Sequence, residues 1–227
     1  MSVSTKNITT LSDFPLFSIL SEDEKTRLDG MARRIVKGKY SFIYLPDENS
    51  DTLYFLNRGT VKIGTHGSDG KEVIKSLIHP HAVFGELGII GEQKRQDFAQ
   101  ALKEEVELFA ISVDDFKKIM RTNFALTDRV MSGFGKRLMR AETKLESLIF
   151  KDARTRIIDF IKDSIDKHGR RVGYEMLLKH SLTHQDIANI TCTSRQTVTL
   201  VLNELRKSDL IYFNRGKILV RDMERLA

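Results

Sequence analysis

The chain has a single cysteine, Cys192. One thiol excludes a disulfide framework, a four-cysteine iron–sulfur site and a cysteine-based zinc finger within one chain. No run approaches the ~20 consecutive apolar residues that cross a bilayer, so no membrane partner is expected. Met1 to Thr10 are polar and hold no apolar signal core, which makes a reducing cytoplasm the expected compartment. Catalytic signatures are missing as well. There is no Ser-His-Asp set, no metalloprotease motif and no phosphate-binding lysine loop, so an enzyme is not expected. Neither an internal repeat nor a low-complexity segment occurs. What remains is 227 residues, 41% apolar and 30% charged, which suits a globular protein of one large or two modest domains. The net charge of +6 is unevenly placed: residues 151–227 hold 15 Lys and Arg against 10 Asp and Glu. A basic C-terminal third suggests a polyanion partner, or a solvated basic face with none.

The pattern of residues divides the chain at about 125 and 150. In the first part (1–125), Ser21 and Glu24 form a capping box that opens a short helix. Short strand signals follow. Tyr40–Leu45 is stopped by Pro46, Leu53–Leu56 and Thr60–Thr65 flank Asn57-Arg58-Gly59 as a hairpin signal, Asp69-Gly70 turns into Val73–Ile78, and Leu108–Val113 is a last strand. Such spacing predicts a β-sandwich or barrel. In the second part (126–150), Leu126, Val130, Phe134, Leu138, Ala141, Leu145 and Leu148 fall on one face of a long helix, close to a coiled-coil seam. A helix of ~25 residues measures ~37 Å, more than a small β-domain needs for its own core. Pairing with a second copy explains the surplus; packing on its own β-domain is the other reading.

The third part (151–227) carries the sharpest feature. Ala153–Lys167 reads as an amphipathic helix and the segment around Gly169–Gly173 as a loop. Thr183–Ile190 and Ser194–Lys207 read as two helices around Thr191-Cys192-Thr193. Ala188 is small where two steeply crossed helices would touch, and Ile187, Ile190, Val198, Val201, Leu202 and Leu205 fit their buried faces. Ser194 caps the second helix, whose first turn presents Arg195, Gln196 and Thr199 outward. Arg pairs bidentately with guanine and Gln with adenine. Thr183 caps the first helix and can reach phosphate. Leu210–Phe213 and Lys217–Arg221 flank Asn214-Arg215-Gly216 as a wing, with Arg215 and Lys217 near a nucleic-acid backbone. The pattern, the wing and the local charge together point to double-stranded DNA; a small helical subdomain with Arg195 in a surface ion pair is the plainer alternative.

Three segments carry a family resemblance: Leu53-Tyr-Phe-Leu-Asn-Arg-Gly-Thr-Val-Lys, Phe84-Gly-Glu-Leu-Gly and Thr193-Ser-Arg-Gln-Thr-Val. Across nearly its whole length the chain resembles the cyclic-AMP receptor protein / fumarate-nitrate reduction regulator (Crp/Fnr) family of bacterial transcription factors. The resemblance implies an α+β chain with an N-terminal β-roll (a double-stranded β-helix like that of cyclic-nucleotide-binding domains), a long dimerisation helix and a C-terminal winged helix-turn-helix. It implies a homodimer on a near-palindromic operator, with RNA polymerase as a further partner. It also implies Arg195 and Gln196 as base readers, with Thr183, Gln185, Ser194 and Thr197 at or near phosphates. The family often has Glu where Gln196 stands and Arg where Leu200 stands.

Gly85-Glu86-Leu87-Gly88 resembles the family's phosphate-binding cassette. In nucleotide-binding members a Glu here bonds the ribose hydroxyl, and an Arg-Ser pair ten residues on holds the cyclic phosphate. Ten residues past Glu86 stand Gln96 and Asp97, so the cation is missing and a carboxylate lies where phosphate oxygens would be. Two like charges ~4 Å apart repel by ~4 kcal/mol at an effective dielectric of 20. Arg95 is one residue away, and alternation along a strand would turn it to the opposite side unless the loop shifts by one residue. The adenine-contacting Thr-Ser pair of cyclic-AMP members matches Ala141-Glu142. Cyclic nucleotide is therefore not expected, and Glu86 reads as a remnant bonding local amides or as a ligand group. Cys192 in the helix turn and the His79-Pro80-His81 pair do not support haem, iron–sulfur or metal. The alternative function is a cyclic-nucleotide-binding module that acts on a protein partner.

Overall fold

The structure is a computed structural model that describes residues 8–226; the first seven residues of the polar N-terminal stretch lie outside it. The chain divides into two compact units, residues up to 65 with 75–138, and residues 66–74 with 139–227.

In the first unit, α1 (Glu22–Met31) starts on the expected box. Ser21 Oγ accepts from the Glu24 amide and a Glu24 carboxylate oxygen accepts from the Ser21 amide at 2.8 Å. The other Glu24 oxygen accepts from Asn123 Nδ2 at 2.9 Å, so the cap also anchors the helix to a distant part of the chain. Then come β1 (Arg33–Lys37), β2 (Phe42–Tyr44), β3 (Thr52–Arg58), β4 (Val61–His66), β5 (Glu72–Ile78), β6 (Val83–Phe84), β7 (Phe98–Ala101) and β8 (Val106–Ser112), of which the end of β4 and the start of β5, residues 66–74, fall in the second unit. They form two four-stranded sheets, ordered β1-β8-β3-β6 and β2-β7-β4-β5. Leu56, Phe84 and Leu108 from the first sheet share a core with Ile43, Ile63 and Ala99 from the second. Phe55 and Phe109 point the other way, into a second core with Phe14, Phe17, Leu28, Phe116 and Leu126. Adjacent strand residues face opposite sides, so a strand buried on both faces reads as the near-continuous apolar runs seen at 53–56 and 108–111.

The expected hairpin at 57–59 is not one. Strands β3 and β4 belong to different sheets, and Asn57-Arg58-Gly59 is the corner between them. Gly59 sits at φ +90, and a Cβ there would lie 2.7 Å from Val106 Cγ1. A sheet corner needs the same conformational freedom as a tight hairpin, so the residues alone do not separate the two. The β4–β5 connection over Asp69-Gly70 is the expected turn between neighbouring strands.

Helix α2 (Val113–Thr122) ends at Asn123, and α3 (Phe124–Phe150) begins there. Asn123 Oδ1 accepts from the Leu126 amide at 2.9 Å, a side-chain cap that restarts the helix. The apolar face of α3 is divided. Leu126 is fully buried in its own core, with Val130 packed against it. That removes Leu126 from the face available to a second copy and corrects the seam expected to begin there. From Met131 onward the apolar residues emerge into solvent: Met131 57%, Leu138 62%, Leu145 59% and Leu148 40% exposed. Phe134 is half-buried and Ala141 exposed.

In the second unit, α4 (Ala153–His168) is followed by β9 (Arg170–Val172) and β10 (Glu175–Lys179). The segment expected to be a loop around Gly169–Gly173 is thus a hairpin strand. Helices α5 (His184–Thr191) and α6 (Arg195–Lys207), then β11 (Ile211–Asn214) and β12 (Lys217–Val220), complete the unit. The sheet order β11-β12-β10-β9 explains the missed strand: β9 is an exposed edge with the polar start Arg170-Arg171, which carries no apolar alternation.

Candidate nucleic-acid interface and effector cassette

The second unit is organised around Ile157, Ile161, Ile187, Ala188, Val198 and Leu202, all buried. Ala188 is completely covered, as the crossing of two helices requires. Helix α5 ends with Cys192 in the left-handed region (φ 52, ψ 52), and the Thr193 amide bonds back to the Ala188 carbonyl at 3.0 Å. Arg156 of α4 fastens this turn. Its Nε donates to the Thr191 carbonyl at 3.0 Å and its Nη2 to the Cys192 carbonyl at 3.2 Å. Nothing local in the sequence marks Arg156 for this role, because its acceptors are backbone atoms 35 and 36 residues away.

Ser194 caps α6, accepting from the Thr197 amide at 3.0 Å, and its hydroxyl lies 2.8 Å from that of Thr197. Arg195 and Gln196 are exposed on the first turn. Neither side chain has a hydrogen bond or ion pair among the described residues. Thr199 was expected beside them, but its hydroxyl turns back. It donates to the Arg195 carbonyl at 2.9 Å and lies 3.0 Å from His184 Nδ1. A threonine hydroxyl in a helix commonly takes the carbonyl one turn back in this way. His184 was not anticipated. Its ring is 6.0 Å from that of Phe213 on β11, so it joins α5 to both α6 and the wing. Burial first, and the charge of Arg195 second, hold its pKa below the usual histidine value.

Thr183 caps α5 as expected, within a capping box that places the Asp186 carboxylate 2.6 Å from its hydroxyl. That carboxylate opposes a phosphate at the same helix start. Gln185 is exposed and its amide donates to Asn189 Oδ1 at 2.8 Å. The turn Asn214-Arg215-Gly216 joins β11 to β12 as a wing, with Arg215 and Lys217 both exposed. Arg195, Gln196, Arg215 and Lys217 thus present three cations and an amide to solvent from two elements of one unit.

In the first unit, the cassette follows β6 as a short 3-10 turn over Glu86–Ile90. Gly88 packs so closely on the Ser50 carbonyl that a Cβ would collide with it. Leu87 is half-buried, and its carbonyl accepts from the Glu92 amide at 3.1 Å. Glu86 is buried, but it does not bond local amides. Its Oε1 pairs with Arg137 of α3, and its Oε2 has no partner among the described residues.

The expected orientation of Arg95 is reversed. Its side chain is 2% exposed, and it donates to the Gly85 carbonyl at 2.8 Å and to the Thr52 carbonyl at 2.5 Å. Its guanidinium carbon lies 4.4 Å from the centre of the Tyr44 ring. Gln96 is exposed and donates to the Lys94 carbonyl. Asp97 faces inward with Arg95, accepting from Tyr44 Oη at 3.3 Å and from Lys75 Nζ at 3.4 Å. Residues 96 and 97 form a bend ahead of β7, so strand alternation does not govern them, and 95 and 97 are buried while 96 is exposed. Burial pushes the Asp97 pKa up, with Lys75 pulling the other way, and burial, followed by Asp97, raises that of Tyr44.

Arg137→Ala would leave the Glu86 carboxylate, only 10% exposed, with no partner on either oxygen. The expected cost is ~1–3 kcal/mol, read as a lower melting temperature in calorimetry. Glu86→Gln in the same chain should recover part of it. An unchanged melting temperature for Arg137→Ala would show that the pair contributes nothing.

A helix-turn-helix with its wing, carried with a β-sandwich of this topology, defines a DNA-binding transcription regulator. Residues 35–123 match the family model for the cyclic nucleotide-binding domain and residues 155–227 that for the Crp-like helix-turn-helix domain. The chain belongs to the Crp/Fnr family of transcription regulators. It is 28% identical over 185 residues to the CRP-like cAMP-activated global transcriptional regulator of Mycobacterium tuberculosis, covering 82% of each chain. It is 27% identical over 179 residues to the global nitrogen regulator of a Nostoc species, covering 78% of this chain and 80% of that one. The structure of FixK2 from Bradyrhizobium japonicum shares the fold, with a TM-score of 0.77 at 21% identity over 86% of this chain and 95% of that one. The other reading of the sequence, a module acting on a protein partner, finds no support among these proteins.

Proposed function

We propose that the protein acts as a homodimer, two copies pairing along the exposed face of α3, and that each copy lays α6 in the major groove of a near-palindromic operator. Arg195 reads guanine and Gln196 reads adenine. Arg215 and Lys217 hold the backbone, and Ser194 and Thr197 bring the positive end of α6 to a phosphate. The observation that carries this reading is the pair of exposed side chains on the first turn of α6, Arg195 and Gln196, which make no hydrogen bond or ion pair among the described residues. Half-sites one helical turn apart, ~34 Å, follow from a twofold pair of such helices. The bound dimer works in the cytoplasm beside RNA polymerase.

The input to the β-roll is proposed not to be a cyclic nucleotide, and no metal or haem is required. Arg95 and Glu86, the groups that would face phosphate and ribose, are engaged by the chain's own carbonyls and by Arg137. The Asp97 carboxylate shares that interior. The relatives include both a cAMP-activated regulator and a nitrogen regulator, so family membership leaves the effector open.

Selection of bound duplexes from a random pool, with and without cyclic AMP, tests both parts. Enrichment of a two-fold symmetric sequence, unaffected by the nucleotide, is the expected result. An enriched site without symmetry would overturn the dimer reading, and enrichment only with cyclic AMP would overturn the effector reading.

A further inference from the structure

Beyond Arg195 and Gln196, the outer face of α6 carries an exposed apolar residue. Leu200 is 62% exposed, while Val198, Val201, Leu202 and Leu205 on the same helix are at most 5% exposed. Solitary exposed leucines are ordinary on protein surfaces; the position of this one gives it a consequence. Leu200 stands four residues after Gln196, and such residues share a helix face about 6 Å apart. Base pairs stack ~3.4 Å apart, so a side chain one turn beyond a base reader falls one to two steps further along the duplex. The neighbouring Thr199 cannot take that place, because its hydroxyl is directed to the Arg195 carbonyl and His184.

We infer that Leu200 is a specificity-determining residue that reads the C5-methyl group of thymine, one to two base pairs from the adenine contacted by Gln196. The inference rests on the proposed docking of α6 and adds a base preference to it. A hydrocarbon side chain has no donor or acceptor with which to read a base edge. The thymine methyl is the one apolar feature that the major groove offers. The same side chain acts against a G·C pair, since it would cover the N7 and O6 acceptors and the N4 donor without replacing their hydrogen bonds to water. Attraction for one base and a penalty for others together make a preference.

The test uses the full-length protein and its selected operator, with deoxyuridine replacing thymidine one position at a time, symmetrically in both half-sites. Uracil differs from thymine only by the methyl. The unmodified protein should lose about fourfold in affinity per half-site at one position, the ~0.8 kcal/mol of one buried carbon, and be indifferent elsewhere. Leu200→Ala should bind the uracil and thymine operators equally at that position. In selection it should lose its thymine preference there while keeping the base read by Arg195. The assignment falls if no uracil substitution weakens the unmodified protein, or if Leu200→Ala stays as sensitive as the parent. A separate failure, that α6 reads no bases at all, would show as Arg195→Ala leaving the ratio of operator to random-DNA affinity unchanged. If that ratio changes while uracil is neutral, only the role of Leu200 is lost.

Discussion

The double substitution Leu138→Asp with Leu145→Asp is expected to leave each chain folded, to halve the mass of the particle in solution and to weaken operator binding by 100-fold or more. Both side chains are about three-fifths exposed in the single chain, so neither change touches a core. Their exposure on a face that also carries Met131 and Leu148 is what a second copy would remove. A charge directly in a helix–helix seam cannot be solvated without separating the helices. Once apart, each subunit binds its half-site without the effective concentration that a linked partner provides, a factor of 10²–10⁴. Sedimentation equilibrium gives the mass against the 26.0 kDa of one chain, and a fluorescence titration gives the affinity. A variant that still sediments at twice the chain mass would remove α3 from the interface.

Arg195→Ala carries the second large effect. Its guanidinium is exposed at the start of α6 and makes no ion pair within the described residues, so removing it should leave folding alone. Loss of a bidentate contact to guanine costs ~1–3 kcal/mol on the selected operator and relaxes preference at one base pair per half-site. Binding to random DNA should change far less. Lys217→Ala is the contrasting control. A wing lysine near phosphate should weaken all sequences alike and reduce the salt slope by about one. Equal losses on operator and random DNA for Arg195→Ala would make it a backbone contact.

The caps were legible because they are local. Ser21 with Glu24, Thr183 and Ser194 each act within three residues, though the Asp186 half of the Thr183 box was not read. The winged helix-turn-helix was legible for a related reason: its apolar spacing and its turn residues lie in one short stretch. What failed depended on distance or on parity. The corner at Gly59 looks like a hairpin because either structure needs a residue at positive φ; only the partner strand, far along the chain, separates them. The parity expected for Arg95 belongs to a strand, whereas residues 96 and 97 form a bend ahead of β7. Leu126 shares the spacing of the α3 seam, yet the N-terminal segment and α2 cover it. Periodicity identifies an apolar face without saying what packs on it.

From Met131 the exposed positions Met131, Leu138 and Leu145 recur every seven residues, with Phe134, Ala141 and Leu148 between them at the same interval. Seven residues fall short of two full turns of an α-helix, so the stripe drifts by ~20° per repeat around a straight rod. Two such rods can stay in register along the stripe only by winding around each other with a left-handed pitch. The handedness of the rope that would join two reading heads is thus already written in the spacing of six side chains.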